Sequence, residues 1–232
     1  MVLFLTVAAL TLVSSGVCLG GSPPTLVQSA SAGSANDQTT VSATFTNTPG
    51  FGDLLVAIVG VKAGDTISGV SSGGNAWIQA INDPGTTSPQ RPGQAIFYRT
   101  AGSIEAKTVT ATTSQSTIGL QIFEYFGISF PVLIGTSHNS GPGSAPANSG
   151  SVPDPGAFGL VIAGITINTP DHIDGVTNFF TERFDFVSGS AGGRQTFGSA
   201  DRTGGGPPGT NNTTFSHGNN SWRAQIVSFP GD

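Results

Sequence analysis

Apolar and polar residues alternate along most of this chain, and the alternation predicts strands. Residues 41–46, VSATFT, alternate cleanly, and LLVAIVGV (Leu54–Val61) is an almost continuous apolar run. Alternation is typical of a strand with one buried face, and a short apolar run is typical of a strand covered on both faces. No segment keeps a 3.6-residue apolar period over ten residues or more. The pattern therefore predicts an all-β protein.

The second half of the chain repeats the first. Ile58 matches Ile162 and Gly60 matches Gly164, both at an offset of 104 residues. The same offset relates GLQIFEYFG (119–127) to RAQIVSFPG (223–231), so the order of the matches is kept. A fixed offset in a fixed order indicates an internal duplication, with repeat halves at about 39–127 and 128–232.

Two architectures suit a duplicated β chain of this length. The favoured prediction is one two-sheet, jelly-roll-like β-sandwich at 39–232 into which both halves interleave, because the second half has fewer strand signals before Phe158. The alternative is two tandem immunoglobulin-like domains, separated by the Gly/Ser/Pro-rich stretch at 137–156. In the favoured sandwich, nine apolar side chains are predicted to be buried: Leu55, Ala57, Val59, Phe97, Leu120, Ile122, Leu160, Ile162 and Ile226.

The N-terminal residues predict export. Residues 2–13 are apolar and small residues follow, which suits a signal peptide at 1–20 and is too short for a comfortable membrane span. The Ser/Ala/Gly/Pro-rich residues 21–38 predict a flexible leader. Cys18 is the only cysteine, so the mature chain would offer no thiol nucleophile and no Cys metal site. A secreted or cell-surface protein without an integral membrane span is expected.

The composition of the chain limits the kinds of partner that it is expected to bind. Charged residues make up only 9% of the chain and the net charge is −5. The eight basic residues are scattered, so no patch could neutralise several phosphates and nucleic-acid binding is not expected. The three histidines are dispersed among loop segments, and no cofactor or metal site is predicted.

The order GDLLVAIVGV, NAWIQAI, AIFYRTAG, QIFEYFGI, LVIAGI and AQIVSFPG resembles a recurrent Gly/Thr-rich module of bacterial secreted and cell-surface proteins. In that mostly uncharacterised family a pattern LLVV, NTW, IYYA and EYSG precedes a second half ending AAF. The resemblance covers roughly residues 39–230. It implies a β-sandwich and an extracellular setting, and it transfers no active site.

Some side chains could carry chemistry. Paired carboxylates could hydrolyse glycosidic bonds, and the weak candidates are Glu124, Glu182 and Asp185, which lie in strand-like segments. Glu124 is not kept as an acid in the second repeat, where Ser228 stands. The loop Asp171–His172–Ile173–Asp174 also gathers polar groups, without the spacing of a known calcium loop.

Aromatic residues are the better candidates for binding. Trp222, Tyr98 and Tyr125 could stack on sugar rings, whereas Trp77 aligns with an apolar residue of the second repeat and is expected in the core. We therefore expect a non-catalytic extracellular module for adhesion, polysaccharide binding or structural assembly. The alternatives are a subunit of a filament completed by strand exchange, and a glycan hydrolase or lyase. Possible partners are polysaccharide or neighbouring copies of the chain itself.

Overall fold

The strand-like segments of the sequence form antiparallel strands, and the computed structural model describes residues 21–35, 37–128, 131–143, 146–190, 193–204 and 210–231. The predicted signal peptide lies outside these residues. The strands are β1 Thr25–Gly33, β2 Gln38–Thr44, β3 Leu54–Val61, β4 Ile67–Ser72, β5 Asn75–Ala76, β6 Ile78–Asp83, β7 Thr86–Thr87, β8 Gln90–Arg91, β9 Gly93–Thr100, β10 Thr108–Ser116, β11 Ile118–Phe126, β12 Gly135–Gly141, β13 Ala147–Asn148, β14 Val152–Pro153, β15 Leu160–Ile167, β16 Gly175–Val176, β17 Thr181–Ser188, β18 Gln195–Thr203, β19 Thr210–Asn211, β20 Thr214–Ser216 and β21 Trp222–Phe229. The prediction of an all-β sandwich class is confirmed.

Two five-stranded sheets form the centre of the molecule. The first large sheet has the order β1-β11-β3-β9-β6, and the second large sheet has the order β12-β21-β15-β18-β17. A first small sheet, β2-β10-β4-β5, covers the outer face of the first large sheet, and a second small sheet, β13-β20-β16, covers the second. Because β3 and β15 are covered on both faces, all eight residues of each are buried, as their apolar runs predicted.

The two sheet orders correspond strand by strand. β3 corresponds to β15, β11 to β21 and β9 to β18, and the small sheets correspond through β2 and β13, β10 and β20, and β4 and β16. Each of these sheets draws its strands from one half of the chain only. The duplication predicted from the sequence therefore corresponds to two halves with the same arrangement of strands. The expectation that the halves interleave into one pair of sheets is corrected, because each half builds its own pair.

Three apolar layers separate the four sheets. Alternate residues of β3 face opposite layers: Leu55, Ala57 and Val59 pack under the first small sheet. Leu54, Val56 and Ile58 instead face the second large sheet, in a cluster that we call the middle layer and that includes Phe123, Leu160, Ile162 and Phe229. The third layer lies under the second small sheet. The nine residues predicted to be buried from the sequence are all 3% exposed or less.

The segment predicted as a flexible leader contains a regular strand. Residues Thr25–Gly33 form β1, which pairs with β11 from Thr25 opposite Phe126 to Gly33 opposite Gly119. Apart from Leu26 and Val27, its side chains are mostly small or polar, and exposed and half-buried residues alternate along it. Composition alone suggested a leader because an edge strand with one solvated face needs few apolar residues. The prediction of a flexible leader is therefore wrong for this segment.

The central strands of the two large sheets, β3 and β15, run in the same direction, so the two sheets have their ends in common. Ile58 of β3 lies against Gly164 of β15, and Gly60 lies against Thr166. We call the end at which Leu54 and Leu160 begin the two central strands the entry end. The opposite end, at which Val61 and Ile167 finish them, is the far end.

Candidate functional site

Loops of both halves meet at the far end, where β3 and β15 finish. Lys62 directly follows β3, and Asn168 directly follows β15. The loop from β17 to β18 brings Arg194 to the same place, and β8 brings Gln90. Antiparallel strands of equal length place their connecting loops at one edge, so residues far apart in sequence become neighbours here.

Two adjoining pockets at this end share Arg194. The smaller, about 100 Å³, lies between the halves and is lined by Lys62, Gln90, Asn168, Gly193, Arg194 and Gln195. The larger is open, about 280 Å³, and is lined by Pro170, Asp171, His172, Val187 and Arg194. We call the two together the far-end site. The smaller pocket is lined by charged and amide side chains, whereas Pro170 and Val187 give the larger pocket an apolar part beside Asp171, His172 and Arg194.

The amide of Gln195 forms the floor of the smaller pocket. Gln195 is 1% exposed, and its Nε2 donates to Oδ1 of Asn168 at 3.0 Å. Its Oε1 is buried and has no hydrogen-bond partner among the described residues. An unpaired buried acceptor is unfavourable unless a ligand or a water donates to it. The pocket therefore offers an acceptor as well as donors.

A histidine–carboxylate pair borders the larger pocket. Nδ1 of His172 lies 2.7 Å from Oδ2 of Asp185, and the backbone N–H of Ile173 donates to the same oxygen at 3.2 Å. The hydrogen bond to Asp185, and then the charge of Asp185, raise the pKa of His172 above its ordinary value. The imidazole is 84% exposed, so it can reach a ligand while Asp185 orients it.

Glu182 belongs to the same cluster. Partial loss of solvent around its carboxyl raises the pKa of Glu182, and the charge of Asp185 raises it further, while His172 lowers it. The structure therefore brings Glu182 and Asp185 together, as two of the three carboxylates proposed from the sequence.

Asp171 joins the loops around the larger pocket through hydrogen bonds. Its Oδ2 accepts from the backbone N–H of Gly218 at 2.9 Å and from Nδ2 of Asn220 at 3.0 Å. Its own N–H donates to Oγ1 of Thr196 at 2.7 Å. Partial burial opposes ionisation, but the hydrogen bonds from Asn220, His172 and Gly218 outweigh it and lower the pKa of Asp171. Asp171 is therefore an ionised wall of the pocket.

Glu124 lies elsewhere. Phe123 and Tyr125 point into the middle layer, so the residue between them points to the opposite face of its sheet. On β17, Phe184 points into the middle layer, and Asp185 next to it points outward toward the second small sheet. Both large sheets therefore separate Glu124 from Asp185. This separation argues against the alternative of a glycan hydrolase or lyase that would pair Glu124 with Glu182 or Asp185.

Glu124 instead forms a carboxyl pair with Asp53 at the entry end. Glu124 is 1% exposed and accepts from the N–H of Gly50 at 2.6 Å and from Nε2 of Gln28. Burial, and then the hydrogen bond and charge of Glu124, raise the pKa of Asp53 to about 7. Sequence reasoning missed this pair because Asp53 and Glu124 are distant in the chain, and only the pairing of β3 with β11 joins them.

The three aromatic candidates do not form a platform for sugars. Trp222 is 4% exposed and Tyr125 is 0% exposed, so neither can offer a ring face to a ligand. The hydroxyl of Tyr125 donates to Oδ2 of Asp201, and burial raises its pKa well above its ordinary value. Tyr98 is half-buried and packs edge-on against Phe229 at 5.2 Å. The expected ligand-binding role is therefore corrected for Trp222 and Tyr125, which pack inside the protein, and for Tyr98 it stays a prediction.

Trp77 is buried, as predicted, and its Nε1 donates to Oγ of Ser72 at 3.0 Å.

Sequence reasoning missed the far-end residues Lys62, Gln90 and Arg194, because their only sequence signal is that two of them are basic in a chain with few basic residues.

Within the described ranges, no three His, Cys, Asp or Glu side chains converge as metal ligands. The same ranges contain no helix long and apolar enough to cross a bilayer. Comparison with protein-family models, with curated proteins and with solved structures found no match.

Proposed function

We propose that this protein is a non-catalytic extracellular or cell-surface module that binds an anionic polysaccharide at its far-end site. The observation that carries the proposal is the pair of adjoining pockets that share Arg194 and join the two halves. The apolar N-terminal residues 2–13 and the low charge of the chain support an extracellular setting.

The lining suits a hydroxyl-rich ligand. Gln90, Asn168 and Gln195 each carry an amide that can donate and accept, as sugar hydroxyls do. Such ligands are recognised by a few convergent polar groups, and a stacking aromatic ring is not required for that recognition. The site is open, so a chain could pass through it without a closed cavity.

The positively charged side chains of the far-end site indicate that the polysaccharide is anionic. Lys62 and Arg194 form no salt bridge within the described residues, whereas Arg99, Arg183 and Arg223 each pair with an acid. A guanidinium binds a carboxylate or sulfate through two parallel hydrogen bonds, and an ammonium adds a point charge beside it. A uronic-acid or sulfated chain would therefore place its anionic group between Lys62 and Arg194.

Hydrolysis is a second candidate, favoured by the cluster of Glu182, Asp185 and His172. We expect no turnover, because Oδ2 of Asp185 already accepts from His172 and Ile173 and its Oδ1 is buried. An acid and a base acting on one glycosidic bond must both reach it.

Filament assembly by strand exchange has less support. β1 pairs along its whole length with β11 of the same chain, so the first large sheet is completed without a donor strand from a neighbour.

A titration of the protein with a panel of neutral, uronic-acid and sulfated polysaccharides tests the proposal. We expect binding of anionic chains that weakens with salt, and a loss of about tenfold or more in affinity on Arg194→Ala. Lys107→Ala is the matched control, because it removes one positive charge at the entry end, where Nζ of Lys107 donates to the backbone of Thr46. A reducing-sugar assay on each bound chain separates binding from hydrolysis. Equal loss in both variants, or no binding of any anionic chain, would contradict the proposal.

A further inference from the structure

The large apolar side chains that remain exposed gather at the entry end. Phe51 lies in the loop that leads into β3, Ile104 lies in the loop that follows β9, and Phe126 is the last residue of β11; they are 80%, 92% and 65% exposed. Thr100, Tyr125 and Leu54 pair side by side, so these three segments reach the same end.

The second half contributes in the same way. Phe158 precedes β15 by two residues, and Val132 lies between β11 and β12. Phe179 precedes β17, whose Thr181 pairs with Asp201 near the entry end. In the described parts of the far-end loops, at 62–66, 84–89, 168–174, 189–194 and 217–221, no large apolar side chain is exposed. We call Phe51, Ile104, Phe126, Val132 and Phe158 the apolar end surface.

Several charged side chains near this surface are already paired. Arg99 pairs with Glu105 at 3.3 Å, and Arg183 pairs with Asp201 at 2.8 Å. Glu124 and Asp53 share a hydrogen bond. Paired charges cost less to bring close to a low-dielectric region than free ones do. The entry end is therefore suited to an apolar partner.

The chain enters the fold at the same end. Pro24 lies against Gly127, and Pro23 lies against Gly204, with 3.5 Å to a Cβ built at each glycine. The preceding twenty residues contain no charged residue, and residues 2–13 are apolar. The seven residues 14–20 can span at most ~25 Å, less than the ~27 Å length of an eight-residue strand. In a chain from which the predicted signal peptide has not been removed, residues 2–13 are therefore tethered within reach of the entry end.

We propose that the entry end rests on a lipid bilayer, with the apolar end surface inserted at the boundary between headgroups and acyl chains. Single apolar anchors bind membranes only marginally, and stable attachment needs a second contribution. The exposed side chains of Phe51, Ile104 and Phe126, on three separate segments, supply several such contributions, and residues 2–13 add another in a chain from which the predicted signal peptide has not been removed. The far-end site then points away from the membrane.

Tryptophan reporters test the proposal in the full chain. Trp77 and Trp222 are 6% and 4% exposed, so their emission should not respond to lipid. Phe51→Trp and Phe126→Trp each place an indole on the apolar end surface, and Gln90→Trp places one at the far end as the control. With vesicles of phosphatidylcholine carrying brominated acyl chains, we expect a blue shift and quenching at positions 51 and 126 and neither effect at position 90.

Equal quenching at position 90, or none at 51 and 126, would overturn the proposal. A blue shift at position 51 that grows with protein concentration in the absence of vesicles would overturn it too, because it would identify a second copy as the occupant.

A variant without the exposed apolar side chains distinguishes membrane binding by the apolar end surface from membrane binding by residues 2–13. The triple variant Phe51→Ser, Ile104→Ser and Phe126→Ser keeps residues 2–13, and we expect its partitioning onto phosphatidylcholine vesicles to fall by about tenfold or more. Because all three positions are exposed, the fold should survive, which far-UV circular dichroism checks. Unchanged partitioning would show that residues 2–13 act alone and would overturn the proposal.

Discussion

Gly60 of β3 lies directly against Thr166 of β15, and a Cβ built on Gly60 would stand 2.4 Å from Oγ1 of Thr166 and 2.5 Å from the ring of Phe197. Its counterpart in the second repeat, Gly164, lies equally close to Gln94 and Ile58. Both glycines let the two large sheets approach each other across the middle layer. Their match at an offset of 104 residues therefore marks the interface between the halves.

Gly60→Ala should destabilise the protein by about 1–3 kcal/mol, because the methyl group overpacks a filled layer. Urea unfolding followed by circular dichroism measures the loss. Gly69→Ala is the matched control, since a Cβ at Gly69 meets no atom within 4 Å. Similar losses in both variants would show that the cost comes from the strand backbone and not from the contact between the sheets.

The full chain should unfold in one transition. Besides the middle layer, Asp83 of the first half accepts from Nε2 of Gln225 at 2.7 Å and lies 2.7 Å from Nδ1 of His138. Such polar contacts between the halves, added to the apolar middle layer, couple their unfolding. In differential scanning calorimetry, we expect the calorimetric and van't Hoff enthalpies to agree. Two separate peaks would show that each half is an independent domain.

Tyr125→Phe should lower the free energy of unfolding by about 1–2 kcal/mol, because the buried carboxylate of Asp201 loses a donor. Tyr98→Phe serves as the control, since the Tyr98 ring contributes mainly a packing contact with Phe229. Thermal melts of both variants give the comparison. If Tyr98→Phe costs as much as Tyr125→Phe, the hydrogen bond to Asp201 is not the cause.

The carboxyl pair at the entry end makes stability depend on pH. The pKa of Asp53 rises from 3.8 to about 7 in the folded protein, so the folded state binds more protons than the unfolded state between these values. The free energy of unfolding should therefore fall as pH rises from about 4 to 7, by an amount on the order of 1 kcal/mol after solvent screening.

Asp53→Asn should flatten that dependence and make the protein more stable than the wild type at pH 8. Asp37→Asn is the control, because Asp37 is exposed and asparagine tolerates its positive φ of 59°. Denaturant unfolding at several pH values provides the measurement. A wild-type profile that rises between pH 4 and 7 would contradict the raised pKa of Asp53.

At the far-end site, Asp185→Asn should lower the pKa of His172 toward its ordinary value, since Asp185 supplies the hydrogen bond and charge that raise it. Titration of the imidazole signals by NMR follows this change. Asp174→Asn should have a smaller effect, because Asp174 acts on His172 through charge alone. Equal shifts in the two variants would argue against the 2.7 Å contact between His172 and Asp185.

The sequence by itself determined the class of the fold, the duplication and the core. Alternation and the apolar runs at 54–61 and 160–167 specified strands and their buried faces, because side-chain period and burial are properties of each strand alone. The matched pairs Ile58 with Ile162 and Gly60 with Gly164 revealed the repeat. The same signals failed for β1, because its mainly small and polar residues have a composition that also suits a flexible leader.

Only the tertiary structure decided which side chains share a site. Each half forms its own sheets because its strands pair locally, which left Glu124 on one side of the molecule and Asp185 on the other. Trp222 and Tyr125 became interior residues because the large sheets are covered on both faces, a fact that one strand's sequence does not contain. Lys62 and Arg194 meet because loops 132 residues apart reach the same end, and contacts between distant loops depend on how the sheets pack.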